Sequence, residues 1–548
     1  MLNTQKRKPT SEQNDIINSI KLGIPKIEVG AFAGTGKTSS SEMVVDSMPL
    51  KYNFLYIVFN KTAELEAKER FKGRENVEVK TVNALAFANF PRERGEKIEI
   101  KNYKYDEVGR ILNIGDKEAR KAFQAFQNFC DSDEIMIDNK YAQDFWTMME
   151  LKKIQPTHSF ILKTFHLNLE TIGAKALPIG RTDIGTVIVD EYQDSNPVTL
   201  AIADKIPAKT YLKIGDKHQG IYGFRGALNV MGKDNEAMQL FLTKSFRFNQ
   251  GIADRANAIL QIYKGEKNTI EGVNPKNKIE DCRNGCLLSR TNAELIYGIQ
   301  QLVKAKTFYK TIRDPSLLFD LPISIHQIER GNEPRNSKRY LLYKYENYQK
   351  ERAKYSSFVA YLEDEAKKRK DPELKVAVKL VGKIPYDEMI MMEKQTIQNN
   401  SLPETPQYFL STIHTAKGLE WDFVKVADDL YDYPKLIAQH IFRTYGDMGD
   451  VPDFDFVGQF REDVKEGKVQ NNIIEEFNLL YVALTRASIY LKTSKNISML
   501  EDESLTNEHV QKSYQHIVKE SKKKESRKKE NSNNLYNAIT NSNNSYKL

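Results

Sequence analysis

The chain has 548 residues, 40% of them apolar and 28% charged. That is more than one hydrophobic core organises, so roughly three or four domains or subdomains are expected, and a net charge of +8 permits nucleic-acid binding without requiring it. No apolar run approaches the ~20 residues of a membrane span, the N-terminus MLNTQKRKPTSEQ has no signal-peptide core, and 3 cysteines make no disulfide framework, so a cytoplasmic setting without a membrane partner is expected.

In chain order the first strong pattern is KIEVGAFAGTGKTSSSEMVV. Ile27 and Val29 alternate with charged neighbours as in a strand, Gly34 and Gly36 allow a tight turn, and SSSEMVVDSM continues as a helix. The N–H groups of such a turn point at an anion, and the helix adds its positive end. Lys37 is placed to reach the β- and γ-phosphates of a nucleotide, and the Thr38 hydroxyl to bind Mg²⁺. With Ala33, Gly34, Thr35, Gly36 and Ser39 they make the candidate cofactor loop. Ala31 stands where the strict phosphate-loop pattern has glycine, and Gly30 keeps the turn small.

Residues 91–183 carry helical patterns such as DKEARKAFQAFQNFCDS and YAQDFWTMMELKKI. IGTVIVDEYQDS then reads as a buried parallel strand over Val187–Val189. Asp190 at its end suits Mg²⁺ held through water, and Glu191 suits the general base of a hydrolysis. The competing reading is a charged loop after a core strand. YLKIGDKHQGIYGFRGA repeats the strand-to-polar-loop pattern, with Gln219 placed to sense a γ-phosphate. TKSFRFN offers Phe246 and Arg247, and EEFNLLYVALTRAS offers Arg486. A single arginine is ordinarily a surface ion-pair partner; two in polar-aromatic clusters favour stabilisation of phosphoryl-transfer charge.

Cys282 and Cys286 form a C-x-x-x-C without further ligands in register, so a strand edge is expected rather than zinc. The charged, Tyr-rich stretch NSKRYLLYKYENYQKERAKYSS suggests exposed helices, either a duplex-binding face or a solvated bundle. The Lys- and Asn-rich end reads as disordered from about residue 520, with electrostatic tethering to nucleic acid as the alternative.

The ordered series TSEQNDII, AFAGTGKT, YIVFNKTAELEAKERF, VIVDEYQD, IGDKHQGIYGFRGA, SFR, LLSRTNAEL, TIHTAKGLEWD and NLLYVALTRA resembles the superfamily 1 helicases of the UvrD/Rep group. The compact form and the FNK segment are similar to the helicase part of F-box DNA helicases. The resemblance implies an α/β fold of two RecA-like P-loop motor domains, parallel sheets flanked by helices, with a mostly helical insertion in each. The implied ranges are 1–90 and 184–243 for the first motor domain and 91–183 for its insertion. The second motor domain takes 244–296 and 406–495, its insertion 297–405, and the tail 496–548.

The same resemblance implies ATP and Mg²⁺ as cofactors. It assigns the adenine edge to Gln13, the stacking face to Phe246, a ribose contact to Glu420, and the γ-phosphate to Arg247 and Arg486. Hydrolysis in such enzymes depends on closure between the two motor domains. Single-stranded DNA and its junctions with duplex are the implied partners, with base-stacking aromatics and backbone donors along the track. Phe59, Asn60, Thr81, Tyr222, Phe224, Arg225, Arg290, Asn292, Thr412 and His414 match those positions. Phe224 stands where many relatives have tryptophan, and Asn83 replaces a usual histidine, which weakens one contact. Lys417-Gly418, in place of Gln-Gly, favours the 3′-to-5′ branch. The expected activity is therefore an ATP-dependent 3′–5′ DNA helicase or translocase in repair, recombination or replication. If the protein is bacterial, it is expected at the nucleoid. The alternative is a partner-dependent ATPase or protein-stripping translocase in a repair or antiviral defence complex.

Overall fold

The stretch FLYIV, residues 54–58, is apolar throughout, and in the computed structural model every one of its side chains is buried. Phe54, Tyr56 and Val58 enter one core with Ile16, Ile20, Val44 and Ile188. Leu55 and Ile57 enter another with Leu85, Phe126, Val187 and Val189. A strand split between two cores by its period of two needs helices on both faces of its sheet, the signature of parallel sheets. The structure describes residues 8–91, 97–172, 184–223, 231–369, 371–449 and 451–544. The chain divides into two compact units, Met1–Phe246 and Arg247–Leu548.

The first unit runs α1 (Ser11–Lys21), β1 (Lys26–Ala31), α2 (Lys37–Asp46), β2 (Phe54–Val58), α3 (Lys61–Arg70), β3 (Val77–Thr81) and α4 (Val82–Ala88). It continues with α5 (Tyr105–Leu112), α6 (Asp116–Asp131), α7 (Lys140–Glu150), α8 (His158–Ile172), β4 (Ile184–Val189), α9 (Pro197–Lys205), β5 (Ala208–Gly215), β6 (Met238–Leu242) and the short β7 (Lys244–Ser245). The sheet is 6-stranded in the order β3-β2-β4-β5-β1-β6, with every pairing parallel. Helices α6 to α8 send Phe126, Phe145, Trp146 and Phe160 into the core that Val187 and Val189 share. The helical stretch is thus continuous with the sheet's own packing.

The second unit runs α10 (Gln250–Lys264), the short β8 (Glu271–Gly272), β9 (Gly285–Ser289), α11 (Asn292–Lys304), β10 (Tyr309–Thr311), α12 (Pro315–Glu329), α13 (Tyr340–Lys350), α14 (Phe358–Arg369), α15 (Pro372–Val381) and α16 (Tyr386–Ser401). There follow β11 (Tyr408–Thr412), β12 (Trp421–Val426), α17 (Tyr433–Tyr445), α18 (Phe456–Lys465), α19 (Asn471–Leu484), β13 (Ala487–Lys492), α20 (Lys495–Met499) and α21 (Glu503–Asn544). Its 5-stranded sheet, β10-β11-β9-β12-β13, is again parallel. The range 297–405, read from the sequence as an insertion, contains β10, so the purely helical stretch begins with α12.

Cys286 is buried in β9 and Cys282 half-buried before it; both are free thiols. Where the sequence suggested disorder from about residue 520, the backbone of α21 is helical to Asn544. Its first turns are docked: the buried Tyr514 hydroxyl donates to the Gly446 carbonyl at 2.7 Å and accepts from the Met448 N–H at 2.8 Å. Among the described residues, no helix is long and apolar enough to cross a membrane.

Candidate nucleotide and nucleic-acid site

Open α/β sheets bind ligands beyond the carboxyl ends of their strands, and the first unit places its polar motifs there. After β1 the chain turns through Gly34 and Gly36, with φ of +74° and +82°, into α2, whose first residue is Lys37. Glycine takes those left-handed angles without steric cost. Ala33 and Thr35 are buried, and the Thr35 hydroxyl ties the turn by donating to the Phe32 carbonyl at 2.7 Å. Thr38 and Ser39 are half-buried on the first turn of α2.

After β4 the chain reaches Asp190 and Glu191. Lys37 Nζ lies 2.9 Å from Glu191 Oε1, and the Glu191 side chain is 34% exposed, so water reaches it. Glu191 has φ of +51°, a left-handed angle that non-glycine residues hold only under surrounding constraint. Part of the constraint is Gln193, whose Nε2 donates to Glu191 Oε2 and whose Oε1 accepts the Asp216 N–H at 2.9 Å. A Cβ at Gly215 would collide with that Gln193 oxygen. Asp216 Oδ2 in turn accepts from Gln219 Nε2 at 2.9 Å. One polar chain therefore runs Lys37–Glu191–Gln193–Asp216–Gln219 across the ends of β1, β4 and β5.

Asp190 is held separately. Tyr56 donates its hydroxyl to Asp190 Oδ2 at 2.6 Å, and the Glu191 N–H donates to Oδ1 at 2.9 Å. Burial and then the neighbouring Glu191 charge raise the Asp190 carboxyl, while Lys37 and the Tyr56 bond oppose them. Burial alone would lower Lys37; attraction from Glu191, Asp216 and Asp190 outweighs it and leaves the ammonium above its ordinary value. The cluster keeps the Lys37 ammonium protonated and leaves the Asp190 carboxyl easier to protonate than an exposed one. Tyr56, Gln193 and Asp216 were not singled out from the sequence. Asp216 lies in the polar loop after β5 and Gln193 two residues beyond Glu191, whereas Tyr56 reads as ordinary strand core.

Gln13 is buried beside this loop. Its Nε2 donates to Ser40 Oγ at 3.0 Å, and its Oε1 accepts the Thr10 N–H at 3.0 Å in a capping box that starts α1. Phe246 is 52% exposed, and its N–H donates to the Gly34 carbonyl at 2.9 Å, which sets an open aromatic face next to the turn.

The nucleic-acid candidates of the first unit also gather at strand ends. Phe59 follows β2, and its ring stacks on Tyr222 with centroids 5.8 Å apart and planes 8° from parallel. Asn60 caps α3 by accepting the Ala63 N–H at 2.9 Å, and Thr81 caps α4 by accepting the Ala84 N–H at 3.0 Å. Asn83 is exposed on the first turn of α4. Phe224 and Arg225 lie outside the described residues.

The second unit separates its candidates between the two ends of its sheet. Arg290 and Asn292 follow β9, and Thr412 and His414 lie at the end of β11, all at the carboxyl edge. Glu420 precedes β12 and Arg486 precedes β13, at the amino edge. Arg290 is clamped by two bonds to Glu476, at 2.8 and 3.1 Å, and its guanidinium lies 5.3 Å from the Tyr431 ring centre. Asn292 donates to Glu373 at 3.3 Å and accepts from Arg313 at 3.1 Å. Thr412 and Thr415 share a hydroxyl bond of 2.9 Å, and His414 is half-buried. At the amino edge Arg247 donates to Glu420 at 2.6 Å and to the Thr485 carbonyl at 3.1 Å. Arg486 is 1% exposed and donates to the Val482 and Leu419 carbonyls, each at 3.1 Å.

Two family models match parts of the chain. Residues 96–236 match the UvrD/REP helicase N-terminal domain, and residues 325–498 match the UvrD-like helicase C-terminal domain. F-box DNA helicase 1 of Gallus gallus is 28% identical over 538 residues, covering 90% of this chain and 50% of that protein. F-box DNA helicase protein 1 of Schizosaccharomyces pombe is 26% identical over 556 residues, covering 90% of this chain and 58% of that protein. A segment of 79 residues is 37% identical to the ATP-dependent DNA helicase PcrA of Leuconostoc citreum, covering 13% of this chain and 10% of that protein. The chain spans about half the length of the F-box relatives it matches. With matches to both the N- and C-terminal family domains, and with parallel α/β sheets in both units, the chain belongs to the UvrD-like superfamily 1 helicases.

Proposed function

We propose that the chain is an ATP-dependent 3′-to-5′ DNA helicase or translocase acting in repair, recombination or replication. The observation that carries this reading is the 2.9 Å pairing of Lys37 with a water-accessible Glu191 beside the half-buried Asp190. Lys37 supplies charge for the β- and γ-phosphates. Glu191 takes the proton of the attacking water as the new bond to the γ-phosphorus forms and the bond to the bridging oxygen breaks. Gln219 orients at the γ-phosphate, and Arg247 and Arg486 carry transition-state charge. Gln13 and Phe246 hold the adenine, and Glu420 the ribose.

The residues fit Mg²⁺. The Thr38 hydroxyl and the Asp190 carboxylate are hard oxygen donors, and three carboxylates, Glu191, Asp216 and Asp190, surround the single ammonium of Lys37, an arrangement that suits a further cation. Among the described residues no cluster of three or more His, Cys, Asp or Glu side chains could hold a metal. When bound, Mg²⁺ neutralises phosphate charge.

The printed names of the relatives make DNA the favoured track, and the AKGLEW and NLLYVALTRA segments favour 3′-to-5′ movement. Asn60, Thr81, Arg225, Arg290, Asn292, Thr412 and His414 serve the sugar–phosphate chain in this reading, and Phe224 stacks on a base. The test is unwinding of a labelled duplex with either a 3′ or a 5′ single-stranded tail, with Lys37→Ala as control. Unwinding from the 3′ tail alone is expected. Unwinding from the 5′ tail alone reverses the polarity. Neither, with hydrolysis still stimulated by DNA, moves the assignment to a protein-stripping or partner-dependent motor.

Phe59 and Tyr222 are the proposed stacking platform for bases, and base–aromatic stacking is worth about 1–3 kcal/mol per base. Phe59→Ala should weaken half-maximal activation by single-stranded DNA about tenfold while basal hydrolysis stays within about twofold. A DNA titration of ATPase rate reads both; an unchanged activation curve places the platform elsewhere.

A further inference from the structure

We infer that Glu12 is a positioning residue that sets the slot for the nucleotide base and so determines the preference for adenine. This rests on the ATPase reading above. Glu12 lies on the first turn of α1, one residue before Gln13. Its two carboxylate oxygens are spent on one target: Oε2 accepts the Thr243 N–H at 3.0 Å, and Oε1 accepts the Thr243 hydroxyl at 2.5 Å.

Thr243 links β6 to Phe246. Just before it, the Leu242 carbonyl accepts the Phe32 N–H at 3.2 Å; three residues after it, the Phe246 N–H reaches the Gly34 carbonyl at 2.9 Å. The short segment carrying the exposed Phe246 ring is therefore pinned on the phosphate-loop strand and turn, by two backbone bonds, and on α1. Of these, the bonds of Leu242 and Phe246 are backbone to backbone, whereas the Glu12 bonds depend on a side chain. The next residue, Gln13, uses its amide on Ser40 Oγ, and Ser40 Oγ donates to the Gly36 carbonyl at 2.9 Å. Consecutive residues of one helical turn thus hold the stacking side and the edge-reading side of the base at a fixed separation.

A helix-terminal acid also steadies the helix N-terminus, so the test needs a readout that a purely structural role does not move. Glutamine at 12 keeps an acceptor for the Thr243 N–H, and its amide donates to the Thr243 hydroxyl. Alanine loses both bonds. Steady-state hydrolysis of ATP, GTP, CTP and UTP is measured for the full chain, Glu12→Gln, Glu12→Ala and Thr243→Val, with thermal melting alongside. Glu12→Ala should raise KM for ATP about tenfold with kcat within about twofold, and bring the ATP-to-UTP ratio of kcat/KM toward one. Glu12→Gln should stay near the parent, and Thr243→Val, which keeps the N–H bond, should fall between. A lowered melting temperature with the parent's ATP-to-UTP ratio overturns the positioning role and leaves Glu12 a helix-terminal acid. A parent chain that hydrolyses none of the four nucleotides overturns the ATPase reading itself, and the inference with it.

Discussion

Replacing Glu191 with glutamine should cut ATP turnover by roughly a thousandfold while leaving binding of ATP and single-stranded DNA within about threefold. The substitution is isosteric and keeps an oxygen within reach of Lys37, now 2.9 Å from Glu191 Oε1. It removes the basic lone pair that would take a proton from water. It also removes a negative neighbour from Asp190, one of the causes that raise that carboxyl, so Asp190 becomes easier to ionise. The proposed Mg²⁺ ligand is preserved or improved, which is why binding should survive. Single-turnover hydrolysis paired with equilibrium binding of a fluorescent nucleotide separates the two effects. Turnover within about threefold of the parent would take the general-base role away from Glu191.

Much of the fold was legible because the motifs are contiguous. IGTVIVDEYQDS announces a buried strand and the acidic turn after it, and the strand is Ile184–Val189 with every side chain buried. The strand ends that collect Lys37, Asp190 and Gln219 come from three such strand-to-loop patterns in one parallel sheet. The features that were not legible depend on partners distant in sequence. Tyr56 reads as one more apolar residue of β2, yet its hydroxyl supports Asp190, 134 positions away. Glu12 and Thr243 are separated by 231 positions. β10 has only 3 residues, too few for a periodic pattern, and sits inside a helix-rich stretch. For α21, composition pointed to a solvated coil. The docked Val510 and Tyr514 give the helix an anchored start, and Lys and Glu propagate helices well once nucleated. Arg290 and Asn292 illustrate a different limit: the sequence offers them as donors to a nucleic-acid backbone, whereas their bonds here go to Glu476 and Glu373.

Replacing Lys37 with alanine should cut hydrolysis by roughly a thousandfold and weaken nucleotide affinity about a hundredfold, a loss of about 2.7 kcal/mol. Lys37 does two jobs in the cluster. Its ammonium is the direct charge partner for the phosphates, and it opposes the rise of the Asp190 carboxyl. Without it, Asp190 keeps the burial and the Glu191 repulsion that raise it, so protonation competes with Mg²⁺ for the same oxygens. Affinity should therefore fall more as the pH is lowered, which a titration with and without Mg²⁺ across pH resolves. Arginine is a poor rescue, because a planar fork does not replace a compact point charge in a narrow turn. If Lys37 and Glu191 act as one unit, the Lys37→Ala, Glu191→Gln double variant should turn over no more slowly than the worse single variant. Losses that multiply would mean that the 2.9 Å ion pair is structural and that the two side chains serve separate steps.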